Sequence, residues 1–266
     1  MQIGFCTGSG ARDAYGVGYE IIPALAAMGY DYVELPLTQV AAMPEAVFED
    51  QVLVAIEQAK IHCLALNNCF PGSMRLTGHE ANHEQALTYA KEAFARAARL
   101  GAETIVFGSS GARSVPDGFP LPDAYAQLAA LLRSLGDAAA RHGLRIAIEP
   151  LNRMESNIVN TYESGLYLAA LCAHPRVGVL ADAYHMAING EDYRTMTAQP
   201  PWHTHYARAL GRRMPTAPDQ PALFCAALLV SGYRGGLSVE ARAEGDIEEG
   251  ARQALVALRE AGRCLA

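Results

Sequence analysis

Apolar residues fall into two spacings that alternate along the chain. Short runs, apolar throughout or at every second position, occur at 2–6 (QIGFC), 32–36 (YVELP), 61–66 (IHCLAL), 104–108 (TIVFG), 145–149 (RIAIE), 177–182 (VGVLAD), 203–207 (HTHYA) and 236–241 (GLSVEA). Runs of this length, rich in β-branched residues and closed by Gly, Pro or a charge, predict eight buried strands. Between them the apolar positions recur at helical spacing, predicting helices over 18–30, 43–59, 82–102, 123–143, 161–174, 217–233 and 246–262. Gly101 suits a C-terminal cap, and Pro44 sits near a helix start, where proline is tolerated. Pro23 counts against a fully regular first helix, and 188–198 supports a short helix at most.

Strand–helix alternation of this kind implies a parallel sheet covered by helices. Eight repeats within 266 residues fit one closed α/β barrel, the (β/α)8 or TIM barrel, as a single domain over 1–266. An open doubly wound sheet would carry a Gly-rich phosphate fingerprint after its first strand, and GFCTGSGARD at 4–13 lacks the GxGxxG spacing.

Composition narrows the partners. About half the residues are apolar (51%), 18% are charged and the formal net charge is −7. That balance argues against a broad nucleic-acid or anionic-membrane surface. Six cysteines without a CxxC pair read as reduced, mostly buried thiols of a cytoplasmic protein and not as a zinc-thiolate site. The N-terminal residues show neither a basic n-region nor a long apolar h-region, so no signal peptide is expected. No apolar run is long enough for a membrane span.

In such a barrel the working groups sit where strands end. Glu34 closes the second strand. Glu149 closes the fifth with Pro150 behind it, and Glu155 follows in the loop. Asp182 closes the sixth and is followed three residues later by His185. His203 and His205 share one face of the seventh, and Glu240 closes the eighth. Converging buried acids repel one another. A divalent cation resolves the conflict, and an oxygen/nitrogen donor set suits Mn2+, Mg2+ or Co2+. Glu34 offers a hydrogen bond to a histidine or to a substrate, and His203 serves equally well as barrel filling. Arg212, its neighbour Arg213, and Arg113 are candidates for contacting substrate oxygens or anionic groups.

Several segments carry a family resemblance: VEL at 33–35, FGSSGARSVPDGF at 107–119, IEPLNRMESN at 148–157, ADAYHM at 181–186, HTHYARALGRRMP at 203–215 and SVE at 238–240. On these the chain resembles the xylose-isomerase-like sugar phosphate isomerase/epimerase superfamily, and within it the D-tagatose 3-epimerase and D-psicose 3-epimerase group. The resemblance implies a metal site of Glu149, Asp182, His205 and Glu240, substrate contacts from His185, Arg212 and Glu155, and Glu149 and Glu240 as the acid/base pair. It implies a sugar or keto-sugar substrate, Mn2+ before Mg2+ or Co2+, and proton abstraction beside a carbonyl through a cis-enediolate.

The same parts can eliminate a β-substituent, so a lyase or dehydratase of an inosose-like or 3-keto-glycoside substrate is the alternative. A DNA-repair nuclease on this scaffold would want more histidines and a basic face. The sugar, its phosphorylation and any homo-oligomer stay open.

Overall fold

A computed structural model describes residues 1–264. Eight strands form: β1 Gln2–Cys6, β2 Tyr32–Pro36, β3 His62–Asn67, β4 Thr104–Phe107, β5 Arg145–Ile148, β6 Val177–Asp182, β7 His203–Tyr206 and β8 Gly236–Val239. They close in sequence order into an all-parallel barrel, with β1 paired to β8 from Gln2↔Gly236 to Phe5↔Val239. Every strand expected from the apolar pattern is present: β1, β2 and β6 have the expected bounds and the other five differ by at most two residues at an end.

Helices α1 Ile22–Met28, α2 Leu37–Ala42, α3 Glu45–Val47, α4 Val54–Ala59, α5 His83–Arg99, α6 Ser110–Arg113, α7 Leu121–Ala140, α8 Tyr162–Cys172, α9 Ala183–Ile188, α10 Asp219–Val230 and α11 Ile247–Cys264 accompany them. The expected helix at 18–30 is shorter, because Pro23 falls in the first turn of α1. The one expected at 43–59 is divided into α3 and α4 by a widened turn at Phe48–Leu53. The weak segment at 188–198 holds the end of α9 and a 3-10 turn, Tyr193–Thr197. The short α2 and α6, which lack an amphipathic period of their own, were not foreseen.

Strand parity explains the two layers of core. In β4 to β8, Ile105, Phe107, Ile146, Ile148, Val179, Leu237 and Val239 point outward into one continuous core with the helices. The intervening Val106, Ala147 and Leu180 point inward and pack against Trp202 as a separate plug. The inside is crowded enough that a Cβ on Gly4 would lie 2.1 Å from the Tyr32 ring, so only glycine fits there. Above the plug, the same parity turns Glu34, Asp182, His203, His205 and Glu240 toward the barrel axis.

Cys6, Cys63, Cys69, Cys172 and Cys225 are buried and unpaired, as expected of reduced thiols. The Cys264 side chain lies outside the described residues. Among the described residues no helix is long and apolar enough to cross a membrane.

Candidate metal and substrate site

At the C-terminal end of the barrel, one ligand atom each from Glu149, Asp182, His205 and Glu240 lies within 4.8 Å of the others. Each is delivered by a local device. Glu149 continues the β5 ladder for one last bond, its N–H donating to Phe107 O at 3.1 Å, before Pro150 ends the pairing. Glu240 does the same beyond β8, donating to Tyr206 O at 3.1 Å.

Asp182 is both the last residue of β6 and the N-cap of α9. Its Oδ1 accepts from Tyr184 N at 2.7 Å and His185 N at 3.4 Å. That leaves Oδ2 for the site and explains the Asp-x-x-His spacing: capping starts α9 directly on the strand, and its first turn carries His185 back over the barrel mouth.

Electrostatics fixes the orientation of His205. Its Nε2 faces Glu34 Oε1 at 2.9 Å, so Nδ1 faces the carboxylates. From Nδ1, Glu149 Oε1 and Glu240 Oε2 are each 3.3 Å away, and Asp182 Oδ2 is 4.0 Å. Burial opposes charge on this imidazole, but Glu34 and Glu240 outweigh it and hold the pKa well above the ordinary value. Burial, then the Glu240 charge, raise Glu149. Glu240 is buried too, yet His205 and Arg212 pull it down to about 2.

The donor set fits a divalent cation. It offers three carboxylate oxygens and an imidazole nitrogen whose other nitrogen is anchored on a carboxylate, the arrangement that orients histidine ligands to metals. A second trio, Cys6, Glu34 and His205, also converges. It is the poorer site, because burial and then Glu34 raise the Cys6 thiol well above its usual range and keep it protonated.

A cavity of about 320 Å³ opens above the four groups, with Glu155, His185 and Arg212 among its lining. Asn152 addresses His185 Nδ1 with its main-chain N–H at 3.1 Å and its side-chain Nδ2 at 2.9 Å. Nδ1 must therefore accept, and the hydrogen sits on Nε2. That Nε2 is buried without a hydrogen-bond partner, 3.6 Å from Asp182 Oδ2 and 4.0 Å from Glu149 Oε1. Arg212 lies 4.9 Å over the Tyr184 ring, with NH2 2.5 Å from Glu240 Oε2 and NH1 3.6 Å from Glu155 Oε2. Its rival Arg213 turns away to Glu244 at 2.8 Å.

Two of the expected substrate contacts are corrected. Glu34 is fully buried one layer beneath the mouth. Its oxygens are taken by His205, by His203 at 2.8 Å and by the Ser238 hydroxyl at 2.7 Å, so it braces histidines and does not face a substrate. His203 and His205 together outweigh the burial that would raise its carboxyl, and hold it well below the usual carboxylate range. Arg113 is also fully buried. Its guanidinium donates to Phe107 O at 3.1 Å and Glu149 O at 2.8 Å, tying the ends of β4 and β5 together. Burial pulls its pKa down to about 10, against the Glu149 charge.

Three contributors were missed. Asn67 ends β3 and donates Nδ2 to Glu240 Oε1 at 3.1 Å, leaving its buried Oδ1 without a partner. The strand-end rule that found the acids would have found it had amides been counted. Asn152, which fixes His185, and Gly108, where a Cβ would lie 2.2 Å from Glu149 Oε2, carry no local signal, since their roles depend on those contacts.

A family model described as xylose isomerase-like TIM barrel matches residues 22–261. Over 125 residues the chain is 30% identical to a 3-dehydroshikimate dehydratase of Pseudomonas putida, covering 41% of this chain and 19% of that protein. The chain thus spans about a fifth of the length of that curated relative. Among solved structures, a D-allulose 3-epimerase from Methylomonas sp. in complex with D-allulose superposes with a TM-score of 0.84 at 21% identity, covering 98% of this chain and 96% of that one. A 3-keto-D-glucoside 4-epimerase from E. coli gives 0.80 at 21% identity, covering 98% and 99%. At these identities the structural likenesses show the fold.

Proposed function

The chain belongs to the xylose isomerase-like TIM barrel family, and from that premise we propose that it is a divalent-metal-dependent epimerase or isomerase of a ketose or related keto-sugar. The observation that carries the reading is the convergence of Glu149, Asp182, His205 and Glu240 within 4.8 Å at the barrel mouth. A divalent cation held there, Mn2+ before Mg2+ or Co2+, would supply Lewis-acid polarisation of a carbonyl and its neighbouring hydroxyl.

The protein's own groups do the rest. Glu149 and Glu240 come from β5 and β8, three strands apart around the ring, so they approach the cavity from different walls. One takes the proton from the C–H beside the carbonyl, leaving an enediolate. Proton return by the other to the opposite face of that carbon inverts it, and return to the neighbouring carbon isomerises. The His185 Nε2 hydrogen, fixed by Asn152, donates to a substrate oxygen. Arg212 and Asn67 hold the Glu240 carboxylate in place. The similarity to a 3-dehydroshikimate dehydratase favours a second reading, in which the same proton abstraction is followed by loss of a β-hydroxyl.

Incubating the Mn2+-loaded protein with a panel of ketoses and 3-keto-glycosides in D2O tests this. We expect an epimer or isomer carrying deuterium at the reacting carbon. A dehydrated product selects the second reading, and no exchange with any member rejects both. Glu149→Gln and Glu240→Gln separate the two bases. Each should nearly abolish conversion, yet each should still exchange the proton of the epimer facing the remaining glutamate. One variant exchanging both epimers and the other neither would leave a single base.

A further inference from the structure

The wall of the cavity changes character around the ring. Toward β5, β6 and β7 it carries Glu149, Glu155, His185 and Arg212. Past Glu240 it continues over the ends of β8, β1 and β2, which are neighbours in the barrel, and there it is formed by Arg242, Ser9, Gly16 and Gln39. No carboxylate lines that stretch among the described residues.

The nearby acids are committed elsewhere. Asp13 accepts from the Tyr15 N–H at 2.8 Å and the Gly18 N–H at 2.6 Å, Glu20 accepts from the Arg12 N–H, and Glu244 pairs with Arg213 at 2.8 Å.

Arg242 differs from the other arginines of this mouth. Arg212 is held between Glu240 and Glu155, and Arg213 by Glu244. The Arg242 guanidinium makes no hydrogen bond or ion pair with any described residue. Its main chain is nonetheless anchored, the N–H donating to Arg212 O at 2.8 Å, so the side chain springs from a fixed point on the cavity wall. Guanidinium matches carboxylates and phosphates through paired N–H donors. The loops after the last two strands are also where barrels of this architecture commonly bind phosphate. Among the described residues no Phe, Tyr or Trp ring lines the cavity to stack on an apolar substrate group, and Tyr184 is already covered by Arg212.

We propose that the site takes an anionic substrate: a keto-sugar whose end remote from the reacting carbons carries a carboxylate or a phosphate ester, received by Arg242. This deepens the reading of the cavity as a keto-sugar site and rests on it.

Three ligands that differ only at C6 test it: D-fructose, D-fructuronate and D-fructose 6-phosphate, titrated calorimetrically into the Mn2+-loaded protein. At least one anion should bind about tenfold more tightly than D-fructose, and which one does so distinguishes carboxylate from phosphate. The preference should shrink in 0.5 M salt, as about expected for a partly exposed ion pair. In Arg242→Gln the three affinities should fall within about twofold of one another. Equal affinities in the unaltered protein, a preference that survives Arg242→Gln, or no binding of either anion at millimolar concentration overturns the proposal. Because the titration reads binding, anion binding without turnover would reject the reaction and keep the anion site. Turnover of neutral ketoses with equal affinities would do the reverse.

Discussion

Replacing Glu34 by Gln should weaken metal binding more specifically than it weakens the fold. The carboxylate is fully buried and accepts three bonds, from His205 at 2.9 Å, His203 at 2.8 Å and Ser238 at 2.7 Å. Gln keeps the shape but offers one acceptor oxygen and an NH2 that can only donate. Its oxygen can serve His205, while His203 must change tautomer to accept from the NH2. Three charge-assisted bonds become neutral ones, a loss of about 1 kcal/mol each, or about 3 kcal/mol of unfolding free energy. His205 meanwhile loses the anion that makes it a strong donor, and loss of such a supporting carboxylate costs about 10–100-fold in metal affinity.

Urea denaturation of the chelated protein and Mn2+ titration by electron paramagnetic resonance read the two quantities separately. The stability difference should also depend on pH in a definite direction. The folded pKa of Glu34 lies below its unfolded value of about 4.3, so its contribution is complete above that pH and is lost as pH falls through the folded value. A Gln variant that loses stability but binds Mn2+ within twofold of the parent would refute the reasoning, reducing Glu34 to barrel packing. A variant unchanged in both would refute the value assigned to the buried charge.

Four further outcomes are expected. After chelation, Mn2+ should rebind at about one ion per chain, and an excess of about 100 Kd should add ~2.7 kcal/mol to stability. Because the ion must displace the proton held on His205, its affinity should rise by about tenfold per pH unit below the raised pKa of that imidazole, and a flat profile would contradict the assignment. His185→Ala should keep the ion and lose at least about tenfold in turnover, the worth of one buried donor; loss of the ion would make His185 a ligand. Gly108→Ala would set a Cβ 2.2 Å from Glu149 Oε2, so metal affinity should fall while urea stability drops by about 1–3 kcal/mol or less. An unchanged affinity would mean that the carboxylate has room to move.

How much of this was legible in the sequence depended on depth. Parity along a strand says which residues face the axis, and it turned Glu34, His203, His205, Asp182 and Glu240 inward together. It does not say at what height. Asp182 ends β6, and Glu149 and Glu240 each stand one residue past β5 and β8, so all three reach the mouth. Glu34 stands two residues before the end of β2, about 6–7 Å lower. His203 and Ser238 precede His205 and Glu240 by the same two residues, and Glu34 bonds to both of them. An acid near a strand end was thus rightly placed inside the barrel, and of the two partners open to it, a histidine or a substrate, it meets the histidines. Counting residues back from the last ladder bond would have separated the layers. Arg113 was illegible for a different reason. Its position follows from the four-residue α6, which no hydrophobic period announces, and its partners are main-chain carbonyls that any sequence supplies. Arg212 and Arg213 are adjacent and chemically alike. They are told apart by the left-handed backbone at Gly211 and Arg212, φ 76° and 53°, which turns one guanidinium into the cavity and leaves the next to Glu244. Chemistry carried by strands was readable because the barrel enforces a period of two. Chemistry carried by the loops was not, because there each side chain's direction is set by contacts remote in sequence, and it is the loops that choose the substrate.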